Sequence, residues 1–241
     1  MATGTATQSI ARTAGKAAET LIEPRDGVAH VSGDRSVPLL HKTIPEQFAE
    51  TAQKYADRDA VVFVGQDRRF TWAELAETVD AFAAGLLALG LEKGDRIGIW
   101  SPNRWEWLVT QFATARIGLI LVNINPAYRL SELDYALNKV ACRALVTAAS
   151  FKSSDYLGML ATLAPELATA EPGKLRARKL PSLEIVIRMG EEASPGILNF
   201  GDVLAMGGRD EHERLDAISA TLRPDDAINI QFTSGTTGAP K

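Results

Sequence analysis

The residues best equipped for chemistry stand together at the end of the chain. There Thr233-Ser234-Gly235-Thr236-Thr237-Gly238-Ala239-Pro240-Lys241 follows the strand-like run Ile228-Asn229-Ile230-Gln231-Phe232. Gly235 and Gly238 let the backbone come close to a ligand, and their N–H groups can point inward to form an anion cradle. Thr233, Ser234, Thr236 and Thr237 add hydroxyl donors. Lys241 brings a mobile point charge suited to outer phosphates, which need no planar partner. Together these residues favour a nucleoside triphosphate. The plainer alternative is a Gly- and Thr-rich turn joining two strands.

Spacing separates this loop from two better-known ones. A Walker loop needs four residues between its glycines and Lys-Ser or Lys-Thr directly after the second. Here only Thr236 and Thr237 intervene, and Ala239-Pro240 precede the lysine. A dinucleotide fingerprint needs a close first glycine pair and a following helix, and neither is visible.

Other candidate groups read as structural. His30, His41 and His212 are scattered without a partner at ligand spacing, so they are expected in linkers or on the surface, and no metal site is expected. Cys142 is the only cysteine. It precedes an apolar strand and reads as a buried thiol rather than a nucleophile. Trp100, Trp105 and Trp107 read as packing residues. Asn103 and Asn125 read as turn and cap residues, with a site role as the alternative because both follow sheet strands. Gly208 to Arg214 reads as a solvated helix face.

The totals exclude several classes. The chain has 241 residues, 46% of them hydrophobic, with 26 basic against 30 acidic side chains and a net charge of −4. That is a globular composition without a basic block to track a phosphate backbone, so nucleic acid is not an expected partner. A single cysteine forbids an internal disulfide framework, which points to a reducing, cytoplasmic setting. No apolar run approaches the roughly 20 residues of a membrane span. The first 24 residues lack the apolar segment of a secretory signal, and Glu19 and Glu23 argue against a transit peptide. Residues 1–38 are expected to be a flexible arm and linker.

The elements that must position the terminal loop are legible from periodicity. Thr43-Ile44-Pro45-Glu46 and Thr71-Trp72-Ala73-Glu74 are helix starts with capping-box chemistry. Between them, Ala60–Val64 and Arg69–Thr71 are expected to form a hairpin. Trp72, Leu75, Val79, Phe82, Leu86 and Leu89 repeat every three or four residues, giving a helix with an apolar stripe that Gly90 closes. The strand Arg96–Trp100 follows, then a helix starting at Ser101-Pro102-Asn103, the strand Leu119–Asn123, a helix from Ser131, and the strand Ala144–Ala148. Strands with little alternation, separated by helices, predict an α/β fold with a parallel sheet covered on both faces. The stretch from Phe151 to Pro181 is helical in places, Leu183–Arg188 returns to the sheet, and Gly190 to Ala220 carries short helices. A last strand, Ala227–Phe232, delivers the loop.

The loop resembles the phosphate-binding signature of the adenylate-forming superfamily, which includes acyl-CoA synthetases, luciferases and the adenylation domains of peptide synthetases. The resemblance runs from about Leu39 onward. Phe70-Thr71-Trp72-Ala73-Glu74-Leu75, Leu89 to Ile97 and Ser101-Pro102-Asn103 occur in the family's order. Leu121 to Arg129 and Phe151-Lys152-Ser153-Ser154-Asp155-Tyr156 look closest to fatty-acyl-CoA ligases of the medium-chain type.

The resemblance implies an incomplete layered parallel-sheet large domain, with residues 39–241 as the first portion of the AMP-binding domain. It also implies a two-step ligase. The carboxylate of a medium- or long-chain fatty acid attacks the α-phosphorus of ATP, accompanied by Mg2+, and pyrophosphate leaves. Coenzyme A then displaces AMP to give a thioester. Thr233, Ser234, Gly235, Thr236, Thr237, Gly238 and Lys241 would hold the β- and γ-phosphates. The family's adenine, ribose and acyl contacts and its catalytic lysine would follow residue 241. No catalytic residue is therefore expected within 1–241, and this stretch alone is expected to be inactive. A domain loading a carrier protein and a non-catalytic nucleotide-binding module stand as alternatives.

Overall fold

Thr43 and Thr71 set where the first two helices begin. Thr43 Oγ1 accepts from the Glu46 N–H at 3.3 Å while the Glu46 carboxylate accepts from the Thr43 N–H at 2.7 Å. Thr71 and Glu74 repeat the exchange at 3.2 and 2.8 Å. Both glutamates, bonded first to the threonine backbone and then to its hydroxyl, are held below the usual carboxylate range. In this computed structural model, which describes residues 36–233, these caps start α1 (Ile44–Lys54) and α2 (Trp72–Ala88). The expected arm at 1–38 lies almost wholly outside the described residues. From His41 the chain forms one compact unit.

Between the caps, β1 (Asp59–Phe63) and β2 (Arg68–Thr71) pair antiparallel as expected, the turn passing through Asp67 at φ 46°. The remaining elements are β3 (Arg96–Trp100), α3 (Trp105–Arg116), β4 (Ile120–Asn123), α4 (Leu130–Lys139), β5 (Ala144–Thr147), β6 (Ser150–Phe151), β7 (Ser154–Asp155), α5 (Tyr156–Leu163), β8 (Ile185–Arg188), β9 (Leu198–Asn199), α6 (Phe200–Met206), α7 (Arg209–Ser219) and β10 (Asn229–Gln231). Six strands form one sheet in the order β10-β4-β3-β5-β8-β9, every pairing parallel. The core of that order, β4-β3-β5-β8-β9, is the 2-1-3-4-5 arrangement of doubly wound sheets. Because the crossovers from β3 to β4 and from β4 to β5 run in opposite directions and both are right-handed, α3 and α4 belong to opposite faces.

Three departures from the sequence reading have physical causes. The stripe on α2 broadens to include Ala83, Ala84, Gly85 and Leu87, because α2 packs against α1, α3, α6 and α7 at once. The helix expected from Ser101 begins instead at Trp105, since the Ser101 hydroxyl donates to Pro102 O at 2.7 Å and caps nothing. Its first turn is held from a distance: Gln66 Oε1 accepts from the Trp105 N–H at 2.9 Å, and Gln66 Nε2 donates to the buried Glu106 at 3.0 Å. Arg104 closes on the same carboxylate at 2.7 and 3.1 Å. The third departure is the short strands β6, β7 and β9, which carry too few residues for any period to register.

Arg116 ties the helical layer together. It reaches Asp80 of α2 at 2.9 Å and, on α7, Asp216 at 2.6 Å and the Leu215 carbonyl at 3.2 Å. The exposed side of α7 carries the Arg209–Glu213 pair at 2.6 Å, in keeping with the solvated face expected there.

Candidate functional site

Strand β10 exists because Asn229, Ile230 and Gln231 pair in register with Leu121, Val122 and Asn123 at the sheet edge. That pairing carries Thr233, which is exposed, to the carboxyl end of the sheet. Ser234, Gly235, Thr236, Thr237, Gly238 and Lys241 lie outside the described residues. Beside the point where the loop departs is a crevice of about 360 Å³ over the carboxyl ends of β3, β4 and β10, lined by Ser101, Asn103, Asn123, Asn125, Gln231 and Phe232 among others. Ligands of parallel α/β sheets bind outside the carboxyl ends of strands.

Asn123 stands out in this crevice. It is the last residue of β4, and its Oδ1 is buried without a hydrogen-bond partner. An unsatisfied buried acceptor costs about 1–3 kcal/mol, so this oxygen is a position where a donor would be stabilising. The sequence reading singled out Asn103 and Asn125 and missed Asn123 and Gln231. An amide at the last position of an otherwise apolar strand was the available signal. Asn125 is a turn residue, as read: its Oδ1 accepts from the Ala127 N–H at 2.9 Å. It also lines the crevice, as does Asn103, which caps no helix because α3 begins later.

The rim of the crevice is held from behind by two buried aromatics. Trp100 and Tyr156 stack with ring centroids 3.8 Å apart and planes at 15°. Trp100 Nε1 donates to Asn125 O at 3.2 Å, and the Tyr156 hydroxyl donates to Pro126 O at 2.6 Å. Burial pushes the Tyr156 hydroxyl above the usual range, so it remains a donor. The stack thus fills the carboxyl end of the sheet between the exits of β4 and β5, and the open space lies on the β10 side.

Tyr156→Phe keeps the ring and leaves Pro126 O without its donor. We expect a loss of about 1 kcal/mol in unfolding free energy. The Ala127 and Tyr128 amides, both bonded to Asn125, should also exchange faster with deuterium. Unchanged exchange at those two amides would show that the hydroxyl does not hold the turn.

The remaining candidates take structural places. Trp105 packs edge-on against Phe200 at 5.3 Å, whereas Trp107 lines the crevice. Cys142 is buried, and burial pushes its thiol up to about 12, so at neutral pH it carries no thiolate. His41 and His212 join no metal cluster, and among the described residues no group of three His, Cys, Asp or Glu side chains gathers to hold an ion.

A parallel sheet whose edge strand β10 ends beside a carboxyl-end crevice defines an α/β protein with the site position typical of nucleotide-handling folds. The chain belongs to the AMP-binding enzyme family, whose model matches residues 48–241. The medium-chain acyl-CoA ligase ACSF2, mitochondrial, of Danio rerio is 46% identical over 213 residues, covering 88% of this chain and 35% of that protein. The protein of the same name from Macaca fascicularis is 45% identical over 219 residues, covering 90% and 35%. The crystal structure of the anthranilate CoA ligase AuaEII in complex with anthranoyl-AMP superimposes with a TM-score of 0.64 at 21% identity, covering 84% of this chain and 34% of that one, a likeness of fold. The chain therefore spans about a third of the length of these relatives.

Proposed function

We propose that the protein containing this chain activates a medium- or long-chain fatty acid with ATP and passes the acyl group from its adenylate to coenzyme A. The observation that carries the reading is structural: β10 hands the run beginning at Thr233 to the carboxyl end of a parallel sheet, beside a crevice whose Asn123 lacks a donor. The names of the relatives, acyl-CoA ligases at 46% and 45% identity, support the same chemistry.

In this reading Thr233, Ser234, Thr236 and Thr237 supply hydroxyl donors, Gly235 and Gly238 supply backbone N–H groups, and Lys241 supplies the positive charge to the β- and γ-phosphates. Their work is to align the α-phosphorus for the attacking carboxylate and to neutralise charge as pyrophosphate leaves. Mg2+, when bound, adds charge neutralisation between the phosphates. It would travel with the nucleotide and so need few protein ligands. In this reading residues 39–241 form the first portion of the AMP-binding domain. The sequence reading named the cytoplasm, whereas the relatives are named mitochondrial, so the reading kept here is a reducing interior compartment.

The test is pyrophosphate exchange into ATP by the full-length protein. Exchange should appear only with an added fatty acid, and Lys241→Ala should slow it by about 100-fold. Saturable ATP binding without exchange would replace the enzyme by a binding module. Acyl transfer to a carrier protein in place of free coenzyme A would replace the ligase by a carrier-loading domain.

A further inference from the structure

At the end of the sheet opposite the crevice lies a second feature that the adenylation chemistry does not use. Between Pro172 and Pro181 the chain runs Gly-Lys-Leu-Arg-Ala-Arg-Lys-Leu, and it docks on the sheet where the Leu175 N–H donates to Glu184 O at 2.8 Å, just before β8. Leu175, Ala177 and Leu180 are buried, whereas Lys174, Arg176, Arg178 and Lys179 are exposed. Alternation therefore turns the cations outward and anchors the segment from beneath. The Lys179 carbonyl accepts from Asn138 Nδ2 at 3.0 Å, which brings the exposed Lys139 at the end of α4 beside the strip.

Few of these charges are compensated. Lys174 pairs with Glu171 at 2.8 Å, and Glu184 is taken by Arg143 at 2.9 Å. Lys139, Arg176, Arg178 and Lys179 join no ion pair among the described residues. Glu166 accepts from the Arg178 backbone N–H at 3.2 Å and, held below the usual carboxylate range by its backbone hydrogen bonds and then by the Arg178 and Lys179 charges, offsets part of the strip's charge without a direct ion pair.

We propose that this basic strip docks the protein on an anionic phospholipid surface. Three observations select that partner. The hollow beside the strip, about 570 Å³, is lined by Glu166 and Glu184 as well as by Lys174, Arg176 and Arg178. A single anion seated within it would face carboxylates, while an extended anionic plane meets the outward cations. None of the large exposed hydrophobic side chains lies in the strip, so it lacks the buried anchor that protein interfaces use. The chain as a whole carries −4, so an anionic surface repels its other faces and attracts this one, fixing an orientation that leaves the crevice at the far end of the sheet open to solvent.

The experiment is co-sedimentation of the purified full-length protein with vesicles of equimolar phosphatidylglycerol and phosphatidylcholine, against vesicles of phosphatidylcholine alone. Binding is expected to the mixed vesicles only and to fall as sodium chloride is raised. The triple substitution Arg176→Gln, Arg178→Gln, Lys179→Gln should weaken it about 100-fold, at about fivefold per charge. Removing the cation Lys54, on α1, should change it little. No binding to the mixed vesicles, equal binding to neutral ones, or an unaffected triple variant would overturn the proposal. Displacement by inorganic phosphate beyond that of sodium chloride at equal ionic strength would overturn it in favour of a single-anion site. Capture by polyglutamate without vesicle binding would overturn it in favour of an acidic protein partner.

Discussion

Trp100→Ala is expected to cost about 3–5 kcal/mol of folding stability, a large part of the roughly 5–15 kcal/mol a domain of this kind has. Three losses coincide. The indole is fully buried at the end of β3, so its removal leaves a cavity where the sheet is closed on both sides. Its partner ring, Tyr156 at 3.8 Å, loses the stack. The Asn125 carbonyl loses the indole N–H, which leaves the Tyr156 hydroxyl as the remaining anchor of the turn to the aromatic pair behind it.

Urea unfolding measures the total, and Trp100→Phe divides it. Phenylalanine keeps a ring for the stack but has no donor, so its loss should be the smaller. Combined with Tyr156→Phe, it should show coupling, because both changes release the same two-residue turn. An alanine variant as stable as the parent would mean that the turn and the stack are held by something else.

Gly85→Ala should be nearly as damaging, at about 3 kcal/mol or more, although it adds one methyl group. A Cβ on Gly85 would lie 1.9 Å from the Val203 carbonyl oxygen and 2.8 Å from its carbon. Both are backbone atoms of α6, so no side-chain rotation relieves the clash and the two helices must separate. The same contact is tight from the other side, where a Cβ on Gly207 would lie 2.4 Å from the Ala84 Cβ. Separation would disturb the Phe82–Phe200 stack, whose centroids are 4.1 Å apart. Gly201→Ala is the internal comparison: it lies in α6 with nothing within 4 Å, so helix propensity should make it neutral or stabilising by up to about 1 kcal/mol. If the two alanine variants melted alike, close packing of α2 on α6 would be the wrong account of Gly85.

These two positions show where sequence reading succeeds and where it stops. The Thr43 and Thr71 caps, the hairpin, the closing Gly90 and the α/β alternation were legible because each depends on residues within a few positions of one another. Local hydrogen bonds and a single apolar stripe leave a short-range period. Trp100 could be read as a packing residue, but its hydrogen bond to a carbonyl 25 positions later could not. Gly85 carried no signal, since α2 meets α6 across more than 100 intervening residues. The start of α3 was misplaced for the same reason: its cap, Gln66, is 39 positions away.

The site divides along the same line. The class of chemistry proposed here was legible in the sequence by itself, because the glycines, hydroxyls and lysine of a phosphate cradle must be adjacent in the chain to form one loop. It likewise predicted a parallel sheet and a last strand, Ala227–Phe232, leading to that loop. Tertiary structure alone decided that β10 pairs with β4 at the sheet edge, that Asn123 lines the crevice while its buried Oδ1 stays unpaired, and that a Trp–Tyr stack holds the Asn125-Pro126 turn. Those are contacts between segments far apart in sequence, whose energies exist only once the core has closed around them.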